Sequence, residues 1–344
     1  MNERKLSNFC TAMLAFSILV RLLLATGAQA RTAPEEMPQT AQPEAAAQLT
    51  VQHVRMTDAP QRDAAVTDRD PSPPDANAEQ AEAAAQPLTF SPAEAETISI
   101  SGGCSYPVDR QALLLRPSQL DVSREGPKVL IVHTHSSEAY TQEAGFTYTE
   151  SDPLRTGDAA YSVIRVGDEI AAALAARGIE TLHETALNDY PSYDGAYARM
   201  EETIRGYLAQ YPSIQLVLDV HRDAALDTDG SQLDFSCTLP DGTRCAQVML
   251  VVGTDEGGLY HPEWEENLAN ALKLQALLMR QTDGLCRSID LRTERFNQHL
   301  THGSLLAEFG AAGNTLSEAL RAAQLFGTAL GELIEGLAAE QAVK

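Results

Sequence analysis

The feature that most constrains this chain is an alternation, from about residue 100 onward, of short β-branched apolar runs with segments of helical period. Val129-Leu130-Ile131-Val132 is too short for a helix and reads as a buried strand. Val163, Val166, Ile170 and Leu174 then recur on one helix face, and Gly178 follows as a C-terminal cap. Ile179 to Leu182 reads as the next strand, about 195–210 as a helix, and Ile214 to Val220 and Val248 to Val252 as further strands. Leu268, Leu272 and Met279 mark a helix after Trp264. Ser304 to Phe309 is a last strand, and Ser317 to about Leu337 a closing helix. Strands and helices in this order predict an α/β fold with a mostly parallel, twisted sheet flanked by helices. Such sheets place their sites at the carboxyl ends of the strands.

Three of those ends carry chemistry. The first run continues into His133-Thr134-His135-Ser136-Ser137-Glu138, the second into Asp219-Val220-His221-Arg222-Asp223, and the third into Glu308-Phe309-Gly310. Histidines and carboxylates gathered at one sheet edge are the donor types a catalytic zinc ion takes, with one position left for water. The metal brings that water's pKa down to ~7, and a free carboxylate is then needed to move its proton. A lone histidine at a strand end is more often a hydrogen-bonded structural residue, so the coincidence of three such ends carries the weight. On the period of two, His133 and His135 share a strand face and either can be the ligand. Asp219 shares a face with His221, where it either orients the imidazole or caps the next loop. Arg222 and Asp223 either bind substrate or pair with each other. Tyr190 and Tyr193 form either a substrate wall or packing, and Trp264 reads as a packing anchor.

The chain ahead of this domain differs in kind. Residues 1–30 combine Lys5, an apolar stretch from Phe9 interrupted by Arg21, and Ala28-Gln29-Ala30, which reads as a cleaved export signal or a retained membrane anchor. Residues 31–99 are rich in Ala, Pro, Glu, Asp and Gln, with no aromatic residue before Phe90. That composition buries too little to offset its ordering entropy, so it reads as a disordered tether carrying a domain of residues 100–344. An extracytoplasmic location follows, membrane-anchored or secreted according to the fate of the signal. The formal net charge of -23 excludes a nucleic-acid ligand, which needs a basic footprint. The five cysteines make no C-x-x-C pair. Cys237 and Cys245 flank the turn Pro240-Asp241-Gly242 and face one another across a hairpin, either as a disulfide or as two thiols.

The segments around His135, His221 and Glu308 resemble the stage II sporulation protein P family. So do Arg165-Val166-Gly167-Asp168, Asp189-Tyr190-Pro191-Ser192-Tyr193, Val252-Gly253-Thr254-Asp255 and Phe296-Asn297-Gln298, and the similarity runs from about Val129 to Leu330. The resemblance implies a single domain like that of the zinc-dependent N-acetylmuramoyl-L-alanine amidases. It implies Zn2+ held by His135, Glu138 and His221, with Glu308 as general base and acid and His133 orienting a ligand. Glu138 is the carboxylate ligand chosen here; amidase relatives often place theirs farther along the chain. The implied substrate is peptidoglycan, cut at the amide between the lactyl group of N-acetylmuramic acid and L-alanine and at stem-peptide cross-links. The implied setting is sporulation engulfment, with stage II sporulation proteins D and M as partners. His299 and His302 depart from the family pattern, and read as surface loop residues unless one touches metal or substrate. Two rival readings are a zinc peptidase or deacetylase on another substrate, and a non-catalytic wall-binding or scaffold module.

Overall fold

The computed structural model describes residues 51–53 and 85–343. The export or anchor segment and most of the tether, residues 54–84 included, lie outside the described residues. Among the described residues, no helix is long and apolar enough to cross a membrane.

Among the described residues, ten strands and six α-helices follow in chain order: β1 Val51–His53, α1 Pro92–Thr97, β2 Ile100–Gly102, α2 Arg110–Leu115, β3 Val129–Val132, α3 Val163–Ala175, β4 Thr181–Glu184, α4 Ala196–Gln210, β5 Leu216–Asp223, β6 Ser236–Thr238, β7 Arg244–Ala246, β8 Val248–Gly253, α5 Trp264–Gln281, β9 Ile289–Arg292, β10 Gly303–Ala311 and α6 Leu316–Ala342. Eight strands form one sheet in the order β1-β4-β3-β5-β10-β8-β9-β2, and β6 with β7 forms a hairpin. The strands β4, β3, β5 and β10 are mutually parallel. β8, β9 and β2 are also parallel to one another, but β8 runs antiparallel to β10. β1 joins the far edge antiparallel to β4. The expected mostly parallel sheet flanked by helices is therefore present.

Strand alternation assigns each side chain to a layer. Val129, Ile131, Leu216, Leu218, Val220, Leu305, Ala307 and Phe309 enter the large core shared with α3, α5 and α6. Leu130, Val132, Leu182 and Val217 face the other way, against Met200, Ile204 and Tyr207 of α4. By the same alternation Asp219, His221 and Glu308 project from the α4 face. Both layers are apolar beneath the short strand β3, so all four of its residues are buried.

The folded unit begins earlier than the expected boundary at residue 100. Ser91 and Glu94 close a capping box on α1, and Ala95 and Ile98 are fully buried. Leu88 packs against α6 so closely that a Cβ on Gly336 would lie 2.3 Å from its Cγ. Composition marked this stretch as tether, yet one helical turn with two buried residues suffices to anchor it. Val51–His53, also placed in the tether, supplies the edge strand β1.

Cys237 and Cys245 stand directly opposite in the β6–β7 hairpin as free thiols. Trp264 is buried and its ring stacks on Tyr106 at 5.7 Å, as a packing anchor does.

Candidate metal centre

The strand β3 ends at Val132, and the chain then makes a tight turn through residues 133–138. Asp189 holds this turn: its carboxylate accepts from Ser136 Oγ at 3.0 Å, Ser137 N at 2.9 Å and Ser137 Oγ at 2.8 Å. Arg155 Nη1 donates to the same carboxylate at 2.7 Å. Asn188 completes the scaffold by donating from Nδ2 to the carbonyls of Thr134 and Ala196.

This turn separates the two histidines that the alternation rule placed together. His133 follows the core side: its Nδ1 lies 3.1 Å from Val220 O and its Nε2 2.8 Å from Nε2 of His183. Gly167 of α3 makes room for the pair, since a Cβ there would lie 2.8 Å from His133 Nε2. His133 thus stays on the core side with His183 and Val220 O, and it is the turn after it that carries His135 to the other face. Burial lowers the His133 pKa to about 3, so it packs as a neutral ring.

His135 crosses to the α4 face and joins Glu138 and His221, the three offering donor atoms within 4.8 Å of one another. His135 Nδ1 lies 3.7 Å from Glu138 Oε1, and His221 Nδ1 lies 3.4 Å from Glu138 Oε2. The two imidazoles meet edge to face, 5.2 Å between centroids. Glu138 Oε2 also accepts from the backbone N–H of Arg222 at 3.2 Å, and Oε1 faces Arg155 Nη2 at 3.5 Å. Two imidazole nitrogens and one carboxylate, nearly buried, are a donor set that suits zinc. This donor set fits a metal without rearrangement of the backbone.

Asp219 stands behind His221. Its Oδ1 lies 2.9 Å from His221 Nε2, off the line of a good hydrogen bond, and its two oxygens accept from Thr134 N at 2.8 Å and Thr134 Oγ1 at 2.6 Å. Burial opposes a charge on His221, but Asp219 and Glu138 outweigh it and hold its pKa well above the ordinary value. Glu138 shows the converse. Burial works against its charge, yet hydrogen bonding to His221 and the His221 charge bring its pKa down to about 2. A ring gripped between two carboxylates stands where a cation is electrostatically favoured.

Glu308 is the in-register partner of His221 on the neighbouring strand. Its Oε2 is sealed from solvent and has no hydrogen-bond partner. Burial first, then the charges of Glu138 and Asp223, push its pKa up to about 8 against the pull of His221 and Arg222. It is the one unpartnered carboxylate oxygen beside the cluster among the described residues.

The remaining expectations divide. Arg222 is buried, and its guanidinium donates from Nε to Ala139 O at 2.8 Å and from Nη2 to Leu154 O at 3.0 Å, so it braces the site loops and faces no substrate. Asp223 pairs with Arg287 Nη1 at 2.7 Å, which in turn lies over the Phe235 ring. The two do not pair with each other. His299 contacts Glu201 and Arg205, and His302 contacts Glu263, so neither reaches the cluster. Tyr190 and Tyr193 are both exposed, and Tyr193 stacks on His135 at 4.5 Å. Tyr197, unmarked in the sequence, meets the His135 ring edge at 5.5 Å. Burial, then the charges of Asp219, Glu308 and Glu138, raise the pKa of its hydroxyl far above the usual phenol value.

A family model, Stage II sporulation protein P (SpoIIP), matches residues 19–331. The chain belongs to the stage II sporulation protein P family. The stage II sporulation protein P of Bacillus subtilis (strain 168) is 28% identical over 216 residues, covering 60% of this chain and 50% of that protein. The match thus spans half the length of that curated relative. Among solved structures, the N-acetylmuramyl-L-alanine amidase Ami1 of Mycobacterium smegmatis is 13% identical, with a TM-score of 0.34, over 64% of this chain and 99% of that one. The amidase AmiC2 of Nostoc punctiforme gives the same values, as does Cwp6 from Clostridium difficile except that 30% of that chain is covered. At these scores the likeness fixes no residue correspondence and no activity.

Proposed function

We propose that this member of the stage II sporulation protein P family is a zinc-dependent peptidoglycan hydrolase that cuts the N-acetylmuramoyl-L-alanine amide during sporulation. The observation that carries the reading is the His135–Glu138–His221 cluster with Glu308 in register beside it. His135, Glu138 and His221 would hold the zinc, which would supply Lewis acidity toward the amide carbonyl and toward water near neutral pH. Glu308 takes the proton from the attacking water and passes it to the leaving amine nitrogen. The carbonyl carbon gains a C–O bond as the C–N bond breaks, giving a lactyl carboxylate and a free amino group on L-alanine. Glu308 suits both steps, because its unpartnered oxygen is free to accept a proton and its raised pKa lets it hold one. Asp219 keeps the His221 ring oriented for the metal through its 2.9 Å contact.

The wall-facing parts of the reading rest on family membership and on the apolar, basic-flanked start of the chain. They comprise cleavage of stem-peptide cross-links, an extracytoplasmic site of action, and partnership with stage II sporulation proteins D and M. The deciding experiment measures zinc in the purified full chain alongside activity on purified sacculi. One equivalent of zinc, with new amino-terminal L-alanine abolished by a chelator, supports the proposal. Zinc-free protein that binds sacculi without cutting them replaces it with a wall-binding module. Release of other amino termini, or of acetate, points to a peptidase or a deacetylase.

A further inference from the structure

Tyr197 is the second residue of α4, and several contacts fix where its ring goes. Gly195 precedes the helix with φ 78° and turns the chain into it. Asn188 Nδ2 binds the Ala196 carbonyl at 3.0 Å and the Thr134 carbonyl at 2.8 Å, joining the start of α4 to the residue before His135. Asn297, itself in the left-handed region at φ 58°, donates from Nδ2 to the Tyr197 carbonyl at 2.8 Å. Phe296 lies against the outer side of the Tyr197 ring at 5.8 Å. The ring is thereby wedged edge-on against His135, at 5.5 Å and 79°.

The hydroxyl at the end of this rigid ring lies in the field of Asp219, Glu308 and Glu138. It forms no hydrogen bond within the described residues. A half-buried phenol that three neighbouring segments position, yet that satisfies nothing in the resting protein, is arranged to donate to something that arrives. Other donors near the cluster are engaged or out of reach: the cation Arg155 is held by Asp189 and Ser137, the cation Arg222 by two carbonyls, and the unpartnered Tyr140 hydroxyl is sealed from solvent, whereas Tyr197 is only half-buried. In amide hydrolysis the carbonyl oxygen becomes an anion as water adds to the carbon, and a hydrogen-bond donor placed there adds to what a metal supplies.

We infer that Tyr197 is a further catalytic residue, whose hydroxyl donates a hydrogen bond to the scissile carbonyl oxygen as it becomes anionic. The inference rests on the amide-hydrolase reading above and names the electrophilic donor of that same site. The phenol keeps its proton throughout, and its bond strengthens as charge develops on the acceptor. Tyr193, stacked on the face of the same imidazole and largely exposed, packs instead of donating into the cluster.

The test compares the full-length wild type with Tyr197→Phe, which removes the hydroxyl and keeps the ring contacts with His135 and Phe296. Three readouts are taken: zinc content, turnover on purified sacculi, and affinity for two muramoyl-peptide analogues. One analogue carries a tetrahedral phosphinate in place of the amide, and the other a planar, uncleavable N-methyl amide. The inference expects full zinc, a kcat lower by roughly 10²–10³-fold at unchanged KM, the worth of one such donor. It also expects weaker binding of the phosphinate alone. Equal kcat and equal phosphinate affinity in an active wild type overturn the role of Tyr197 while leaving the hydrolase reading intact. Loss of zinc in Tyr197→Phe, matching the loss of turnover, reduces Tyr197 to packing on His135 and also overturns it. A wild type that neither holds zinc nor cleaves overturns the hydrolase reading, and the inference with it.

Discussion

Nε2 of His221 and Oδ1 of Asp219 lie 2.9 Å apart, on the side of the ring away from Glu138. Both come from β5, two residues apart, so the pairing costs no loop entropy and is fixed by strand alternation alone. Thr134 binds both oxygens of Asp219 and thereby ties β5 to the turn that carries His135. Asp219→Asn keeps the shape but removes the charge facing His221. We expect zinc affinity to fall by roughly 10–100-fold with little change in fold. Competition against a chromophoric chelator measures this, and an unchanged affinity would show that Asp219 serves only to anchor Thr134.

Glu308 and the ligands separate cleanly by substitution. Glu308→Gln retains volume and metal but cannot take a proton, and turnover should drop by roughly 10²–10⁴-fold. A variant as fast as the wild type, assayed by peptide release from sacculi, refutes the role given to Glu308.

His135→Ala and His221→Ala should each abolish stoichiometric zinc, read by elemental analysis of the purified protein. In the wild type, zinc should also raise the melting temperature, since a ligand bound only by the folded state stabilises it by mass action. Both single variants should lose that increment, and one that kept it would be no ligand.

Lys273 offers a pH signature remote from the cluster. It is buried in α5, with one long bond from Nζ to Leu113 O at 3.4 Å. Burial pushes its pKa down to about 8, with Glu266 and Glu340 opposing and Arg116 assisting. The unfolded chain holds this proton more tightly than the folded one, so stability rises as pH climbs from about 8 towards the ordinary lysine value. Lys273→Met should be more stable at pH 7, by roughly 1–3 kcal/mol, and should lack that rise. Parallel denaturant titrations across this range that show identical slopes for both proteins would discount Lys273 as the source.

The sequence announced the strands that run through the core and was silent where burial is partial. Val129–Val132 and Val248–Gly253 coincide with their apolar runs because both faces of the sheet are covered there. Ile289–Arg292 alternates buried and half-buried residues over four positions, and Ile100–Gly102 spans three, so neither gave a usable signal. His135, Glu138, His221 and Glu308 were findable because each follows a strong run. Position alone could not choose between His133 and His135, since the choice depends on where β3 stops hydrogen-bonding. Tyr197 was beyond reach for another reason. The buried stripe of α4 is Ala196, Met200, Ile204 and Tyr207, and Tyr197 lies off it, with partners drawn from the His135 turn and the loop at Phe296.

The reversal of strand direction between β10 and β8 bears on how relatives of this chain can diverge. β5 leaves the sheet at Asp223 and the chain re-enters at Val248, beside Phe309, having built the β6–β7 hairpin on the way. Both ends of that excursion lie at the rim of the cluster, and no candidate ligand lies within it. Insertions and deletions between 224 and 247 can therefore alter that excursion while the candidate ligands stay in place. Length variation among relatives should concentrate in that interval, and the turn from 133 to 138 should keep a constant length.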